Sequence, residues 1–273
     1  MHESTPALGP SEKIALSFED FDMDVNGARL RVRRLTNNTA KATIIFLHDS
    51  LGCIELWRDF PQRLCIATGC NGLLYDRQGY GQSAPFTGPR EIDYLQKEAN
   101  VVLTIIADLG LGKSILFGHS DGGSIALLAA ALDQSKISAI VTEGAHVFVE
   151  EITLDGIRAA KLQAPGLLRR LKKYHGDNTE GAFDAWTETW LRPDFRDFNM
   201  EHFLPQIHCP MMVIQGEKDE YGSEKQVDAI VDQVHGQAVK YMVPEVGHTP
   251  HRDAADLVLQ ATAQFMLQAT QAH

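Results

Sequence analysis

Positive charge and long apolar runs are scarce in this sequence of 273 residues. Lysine and arginine total 25 against 36 aspartates and glutamates, so the formal net charge is −11. A chain this acidic lacks the basic patch that binds nucleic acid, and an anionic bilayer surface would repel it. No stretch approaches the roughly 18 apolar residues of a membrane span. We therefore expect neither a nucleic acid nor a membrane as a partner.

Cysteine is scarce as well. The chain's 4 cysteines have neither the density of a disulfide framework nor the spacing of zinc ligands: Cys53, Cys65, Cys70 and Cys209. Residues 1–11 lack the basic segment and the apolar core of a secretory signal. These absences predict reduced thiols in a cytoplasmic protein. Residues 1–10 are expected to form a flexible arm.

Short, continuously apolar runs recur along the chain, which is typical of strands buried on both faces of a parallel sheet. They lie at Thr43–Leu47, Gly72–Tyr75, Ile115–Phe117, Ile137–Thr142, Met211–Ile214 and Val239–Val243. Helix-like segments separate them, at Trp57–Thr68, Glu91–Leu109, Gly123–Leu132, Ser223–Val234 and Ala254–Gln268. Upstream, Asn26-Gly27 joins the runs Ser17–Asp24 and Ala28–Leu35 and is a strong hairpin signal. The alternation predicts an α/β fold with right-handed crossovers and the hairpin at one edge of its sheet.

One interval interrupts the alternation. Between about 147 and 203 no strand is predicted, whereas Ile152–Lys161, Pro165–Tyr174 and Ala182–Leu191 have the pattern of helices. An insertion between two sheet strands predicts a helical cap over the carboxyl ends of the strands, where sites lie in such sheets. The predicted domains are a core of residues 1–146 and 204–273 and a cap of residues 147–203.

The segment Gly118-His119-Ser120-Asp121-Gly122 follows one predicted strand and precedes a predicted helix. Strand, G-x-S-x-G and helix in that order are the context of a nucleophile elbow, a sharp turn that lifts the serine hydroxyl clear of the sheet. The glycines carry no Cβ, so strand and helix can approach closely around the turn. We therefore predict Ser120 as a nucleophile.

A serine hydroxyl needs a base to remove its proton, and the base needs an acid to orient it. Asp219 follows the apolar run that ends at Ile214, and His248 follows the run that ends at Val243. Both residues therefore belong to loops at the end of the sheet that carries Ser120. The order Ser, Asp, His along the chain predicts a catalytic triad.

These features resemble the α/β-hydrolase superfamily, specifically its capped, single-domain members with a serine nucleophile, from about residue 17 to about residue 268. His48-Asp49-Ser50-Leu51-Gly52 matches the oxyanion loop of that family, and Asp76–Ser83 matches its D-x-R-x-x-G-x-S segment. The resemblance implies an eight-stranded, mostly parallel sheet and an oxyanion hole formed by the backbone N–H groups of Ser50 and Asp121. The sequence departs from the family at Asp49, where glycine is usual. A carboxylate there could hold the loop through hydrogen bonds, or it could shrink or charge the pocket.

Three residues compete for the roles of acid and base. Some α/β hydrolases carry the acid at the position of Glu143, which therefore stays open as a partner in the acid role or as a pocket residue. His251 competes with His248, but Pro250 precedes it, and the glycine before His248 fits the family. His48 could act as the base, although its place in the oxyanion motif favours an anchoring role.

The resemblance implies a serine hydrolase that cleaves a small carboxylic ester, thioester or lactone through an acyl-enzyme on Ser120, with no cofactor and no metal. A C–C bond hydrolase of the ring-cleavage diketone type and a ligand receptor with the hydrolase fold are the alternatives. Aromatic residues in the cap favour an apolar acyl or aryl substrate. Whether water is the acyl acceptor, and whether the protein is a homodimer, is left open. The candidate pocket residues are His48, Asp49, Leu51, Glu143, His146, Phe148, Trp186, Trp190 and Tyr221.

Overall fold

The computed structural model describes residues 16–40 and 42–271, so the arm expected at residues 1–10 lies outside the described residues. An eight-stranded sheet has the order β1-β2-β4-β3-β5-β6-β7-β8. Strand β2 is antiparallel to both of its neighbours, and the other pairs are parallel. The predicted fold class is confirmed. The strands are β1 (Ser17–Val25), β2 (Ala28–Thr36), β3 (Thr43–Leu47), β4 (Asn71–Tyr75), β5 (Ser114–His119), β6 (Ile137–Glu143), β7 (Met211–Gly216) and β8 (Ala238–Val243).

The predicted hairpin is the β1–β2 pair at one edge of the sheet. Its turn residues Asn26 and Gly27 have φ values of 54° and 83°. The Gly27 N–H donates to Asp24 Oδ1 at 3.0 Å. Asparagine and glycine accept positive φ more readily than other residues, which is why this dipeptide closes the turn.

Helices cover both faces of the sheet. Alternate residues of β3 point to opposite faces, since Ile45 and Leu47 belong to one apolar cluster and Ile44 and Phe46 to the other. Such a strand has no polar face, which explains its unbroken apolar run. The helices outside the β6–β7 interval are α1 (Phe60–Thr68), α2 (Tyr94–Asp108), α3 (Asp121–Leu132), α7 (Glu224–Gln233), α8 (Pro250–Asp253) and α9 (Ala255–Gln271).

The helix predicted from Trp57 starts later than expected. A helix was predicted at Trp57–Thr68. A 3-10 turn at Ile54–Trp57 ends at the first residue of that range, and α1 begins at Phe60. Arg58 lies between them with a φ of 54°, and this left-handed conformation interrupts the helical backbone.

Three further helices fill the interval between β6 and β7, namely α4 (Glu151–Leu162), α5 (Ala164–His175) and α6 (Thr179–Leu191). The two ends of this insertion meet, because the Met200 N–H donates to the Val147 carbonyl at 2.8 Å. Phe148 and Asn199 form a β-bridge beside that bond. The three helices lie within residues 147–203, the range predicted as a cap, and we refer to this range as the cap segment. Within the described chain, no helix combines the length and the apolar character needed to cross a membrane.

Candidate active site

Ser120 lies at the junction of β5 and α3 in a strained backbone conformation, with φ 54° and ψ −119°. A Cβ on Gly118 would lie 2.1 Å from the Gly122 carbonyl oxygen, and a Cβ on Gly122 would lie 1.9 Å from the Leu47 carbonyl oxygen. Only glycine fits at either position. The backbone therefore forms the tight turn that the G-x-S-x-G spacing predicts, with Ser120 at its apex.

His248 and Asp219 are joined by their side chains. The Nδ1 of His248 is 2.9 Å from both carboxylate oxygens of Asp219. Oδ1 of Asp219 also accepts the backbone N–H of Tyr221 at 2.8 Å. A carboxylate accepts hydrogen bonds only, so Nδ1 carries the proton and Nε2 is left as the basic nitrogen.

The environment of this pair favours its charged form. Burial works to lower the pKa of His248, but the neighbouring Asp219 carboxylate outweighs it and raises that pKa above the ordinary 6.5. For Asp219, burial works to raise the pKa, but the charge and hydrogen bond of His248 bring it below the ordinary 3.8. Asp219 can therefore stay ionised while His248 takes up a proton.

Ser120 and His248 line the same cavity, whose volume is about 340 Å³. Within the described part of the chain, the Ser120 hydroxyl makes no hydrogen bond. Nucleophile–base contacts in unliganded enzymes are often long and tighten when substrate binds. The structure thus places Ser120 and His248 at one cavity, and Asp219 contacts His248 without lining that cavity.

Ser50 and Asp121, the residues of the predicted oxyanion donors, both line this cavity. Among the residues that the structure describes, neither the Ser50 N–H nor the Asp121 N–H has a protein acceptor. The Asp121 N–H belongs to the first turn of α3, whose N–H groups have no partner within the helix. Two free donors beside a nucleophile can stabilise an oxyanion.

His48 was a candidate pocket residue, but it does not line the cavity. Its Nδ1–H donates to the Asp49 carbonyl at 2.7 Å, and its Nε2 accepts the Arg77 N–H at 3.0 Å. Burial, followed by the charge of Arg77, lowers the pKa of His48 well below its ordinary value. A neutral ring with both nitrogens engaged by backbone groups links the loop at Asp49 to Arg77 and has no free nitrogen for a base.

Glu143 is a second predicted pocket residue that does not line the cavity, and it is fully buried. Its carboxylate accepts the backbone N–H of His251 at 2.8 Å and the Nδ1–H of His251 at 3.0 Å. Glu143 therefore pairs with His251, and Asp219 is the carboxylate that contacts His248.

Phe148 is the third predicted pocket residue that does not line the cavity, since it lies at the base of the cap segment in the bridge with Asn199.

The other six candidates line the cavity: Asp49, Leu51, His146, Trp186, Trp190 and Tyr221. Seven further residues that were not predicted line the cavity: Thr153, Ile157, Leu167, Arg170, Glu220, Thr249 and Arg252. Thr153 and Ile157 are spaced i, i+4 on α4, and Leu167 and Arg170 are spaced i, i+3 on α5, so each pair lies on one helix face. That spacing could have indicated them.

A buried charge cluster surrounds the Asp121 side chain. One carboxylate oxygen lies 3.5 Å from Arg77 and 3.8 Å from Arg90, and the other accepts the Tyr94 hydroxyl at 3.0 Å. All four side chains are buried. The two guanidinium groups outnumber the one Asp121 carboxylate next to Ser120, and nothing in the sequence pattern had indicated their convergence.

The set His119, Glu143 and His251 is the one group of described residues whose ligand atoms lie close enough to hold a metal ion, within 4.8 Å of one another. Each of these side chains already has a hydrogen-bond partner in the protein.

A larger depression of about 550 Å³ lies between Phe86 and α6, but no triad residue lines it. The cavity at Ser120 is therefore the candidate active site.

Gly144→Ala is expected to disrupt this site. Gly144 has a φ of 59°, and a Cβ there would lie 2.9 Å from His248 Cε1. We expect a loss of stability of about 1–2 kcal/mol from the left-handed backbone and a fall in turnover of about 10²-fold from displacement of the imidazole. Thermal unfolding and ester kinetics measure both effects.

Gly166→Ala is the matched control, because Gly166 is helical and a Cβ there meets nothing within 4 Å. It should raise stability by about 0.5–1 kcal/mol and leave turnover unchanged. Equal turnover in the two variants would contradict the close approach at Gly144.

The fold and the site have the features of an α/β hydrolase with a serine nucleophile. The sequence model of the alpha/beta hydrolase family matches residues 44–261, and the chain belongs to this family. The resemblance derived from the sequence is thereby confirmed.

The chain is also similar to individual known proteins. Human serine hydrolase BPHL is 27% identical over 276 residues, which cover 96% of this chain and 91% of that protein. The 2-succinyl-6-hydroxy-2,4-cyclohexadiene-1-carboxylate synthase of Salmonella paratyphi B is 22% identical, over 87% of this chain and 98% of its own length. The solved structure of the enol-lactonase from Burkholderia xenovorans LB400 matches with a TM-score of 0.72 and 18% identity, over 90% of this chain and 99% of that chain.

Proposed function

We propose that this protein is a serine hydrolase that cleaves a small carboxylic ester, thioester or lactone through an acyl-enzyme on Ser120. One observation carries the proposal. The elbow serine shares a single cavity with a histidine bound to a buried aspartate and with the two residues whose backbone N–H groups are free. Nucleophile, base, acid and oxyanion donors are the complete set of groups that acyl transfer by this mechanism uses.

The reaction follows from the properties of these groups. His248 Nε2 takes the proton of the Ser120 hydroxyl as its oxygen attacks the substrate carbonyl. Asp219 keeps the imidazole in the required tautomer and stabilises the imidazolium. The N–H groups of Ser50 and Asp121 donate to the oxyanion of the tetrahedral intermediate. His248 then gives its proton to the leaving group, and water activated by the same histidine releases the acid.

The cavity supports a small substrate with an apolar acyl or aryl part. A volume of about 340 Å³ is at the lower end of ordinary ligand pockets. The cap segment contributes four apolar side chains to the lining, together with Thr153 and Arg170; the four are Ile157, Leu167, Trp186 and Trp190. The name of the enol-lactonase supports a lactone among the substrates to be tested.

The test combines covalent labelling with a substrate panel. A fluorophosphonate probe should label Ser120, and p-nitrophenyl esters of graded acyl length should be hydrolysed, with the rate falling once the acyl chain exceeds the cavity. Selective turnover of vinylogous diketo acids would instead indicate the C–C bond hydrolase. Absence of labelling at Ser120 would favour the ligand receptor.

Turnover should rise with pH as His248 loses its proton, because only the neutral imidazole can act as the base. The Asp219 carboxylate outweighs burial and raises the pKa of His248, so the midpoint of this rise should lie above 6.5. The measurement is kcat/KM for a neutral aryl ester across about pH 5 to 9. A midpoint below 6.5 would contradict the pairing of His248 with an ionised Asp219.

A further inference from the structure

A second histidine–carboxylate pair lies behind the candidate triad. The Glu143 carboxylate accepts both the backbone N–H of His251, at 2.8 Å, and its Nδ1–H, at 3.0 Å. Glu143 is 0% exposed, and the His251 ring packs 4.6 Å from the ring of Trp57 and 5.6 Å from that of Phe60. The proposed reaction assigns no chemical step to this pair.

Glu143 also contacts the nucleophile through its main chain. Its carbonyl oxygen accepts the backbone N–H of Ser120 at 2.7 Å. One residue at the end of β6 therefore holds the backbone of the strained elbow with its carbonyl and the segment just after His248 with its carboxylate. The two loops come from strands β5 and β8, which are not neighbours in the sheet.

His119 provides a second link between the same two loops. Its Nε2–H donates to the backbone carbonyl of His248 at 2.7 Å. Burial lowers the pKa of His119 to about 4, so the ring is neutral near neutral pH and its one proton lies on the nitrogen that faces the carbonyl. His119 directly precedes Ser120, so this hydrogen bond links the elbow to the main chain of His248, the proposed base.

The charge of Glu143 strengthens this arrangement. Burial works to raise the pKa of Glu143, but the charge and hydrogen bonds of His251 outweigh it and lower that pKa. Glu143 is therefore ionised in a dry environment. A buried carboxylate that loses its partner is strongly destabilising, so the pair resists separation more than a neutral contact would.

We propose that Glu143, His251 and His119 are positioning residues that clamp the loop of His248 to the nucleophile elbow and so set the distance from the imidazole to the Ser120 hydroxyl. This inference rests on the proposed function, since it concerns the placement of the proposed base. None of the three residues lines the cavity at Ser120. They act by removing the freedom of the two loops to move apart, on which the rate of proton transfer depends.

The experiment compares three variants on an aryl ester that the wild type hydrolyses. His251→Leu removes the side-chain donor, and His251→Asn keeps a donor near the position of Nδ1. Thr142→Val is the matched control, because Thr142 is the buried neighbour of Glu143 on β6 and its hydroxyl has no partner among the described residues. The readouts are kcat, KM and the thermal midpoint.

Placement of the base affects kcat and leaves substrate binding alone. We expect His251→Leu to lower kcat by about 10- to 100-fold with KM within about twofold. His251→Asn should recover most of the loss, and Thr142→Val should match the wild type. In a His248→Ala background, His251→Leu should have no further effect on the residual rate, because no imidazole remains to be placed.

The results that overturn the clamp are distinct from those that overturn the reaction. An unchanged kcat in His251→Leu, or an equal fractional loss in the His248→Ala background, would refute it. If His251→Leu does not fold, Glu143→Gln/His251→Leu removes the buried charge together with its partner and carries the same expectations. Absence of wild-type ester turnover would refute both proposals, whereas wild-type turnover with an unaffected variant refutes the clamp alone.

Discussion

Ser120→Ala is expected to abolish ester turnover and covalent labelling together. Without the hydroxyl no acyl-enzyme can form, and only the oxyanion donors and the binding of substrate remain to assist attack by water. We expect kcat to fall by about 10⁴-fold or more. Steady-state kinetics on an aryl ester, with labelling by a fluorophosphonate probe read by mass spectrometry, measures both losses.

His248→Ala should be equally severe, and the double variant Ser120→Ala/His248→Ala should be no worse than either single variant, because residues that act as a unit lose their effect together. Ser135→Ala is the control, since Ser135 is an exposed serine beyond the far end of α3. Additive losses in the double variant would show that the two residues do not act in one step. Retained labelling in Ser120→Ala would place the nucleophile elsewhere.

Much of the sheet could be predicted from the sequence because its signals are local. A run such as Thr43–Leu47 is apolar at every position, and the structure shows why, since alternate side chains enter clusters on opposite faces. The elbow is local as well, since Gly118 and Gly122 flank Ser120 within five residues. The proximity of Asp219 and His248 could be predicted because parallel strands bring the loops that follow them to one edge of the sheet.

The pairings between distant residues could not be predicted. Glu143 is a plausible acid by its position in the chain, and only the fold shows that His251 occupies its carboxylate. Phe148 belongs to the cap segment, but it forms a bridge with Asn199 and does not line the cavity. Arg77 and Arg90 approach Asp121 from distant positions in the chain, so no spacing rule could have joined the three charges.

The contacts of the oxyanion loop resolve what the sequence left open about Asp49. The carboxylate could have held the loop or charged the pocket. Arg77 donates to the Asp49 carbonyl at 2.8 Å, whereas the carboxylate accepts only a long bond of 3.4 Å from the Leu51 N–H. The loop is therefore held mainly through its backbone, and the Asp49 side chain lines the cavity.

Asp219→Asn should leave a small residual activity and change its pH dependence. An asparagine can present its amide to Nδ1 and hold the wrong tautomer of His248, so kcat should fall by about 10⁴-fold. Removal of the carboxylate also removes the contribution that raises the pKa of His248, so the rise of activity should move to lower pH than in the wild type. Measurement of kcat against pH for both proteins tests the two effects together.

Glu143→Gln provides the comparison for this variant. Because the Glu143 carboxylate contacts His251 and not His248, its replacement should cause the smaller loss and leave the pH midpoint in place. Near-normal hydrolysis in Asp219→Asn would transfer the role of acid to Glu143. In the wild type the His248 imidazole lies 2.9 Å from the Asp219 carboxylate. An acid role for Glu143 would require that imidazole to move away from Asp219 during the reaction. The rate of Asp219→Asn therefore decides between the two acids.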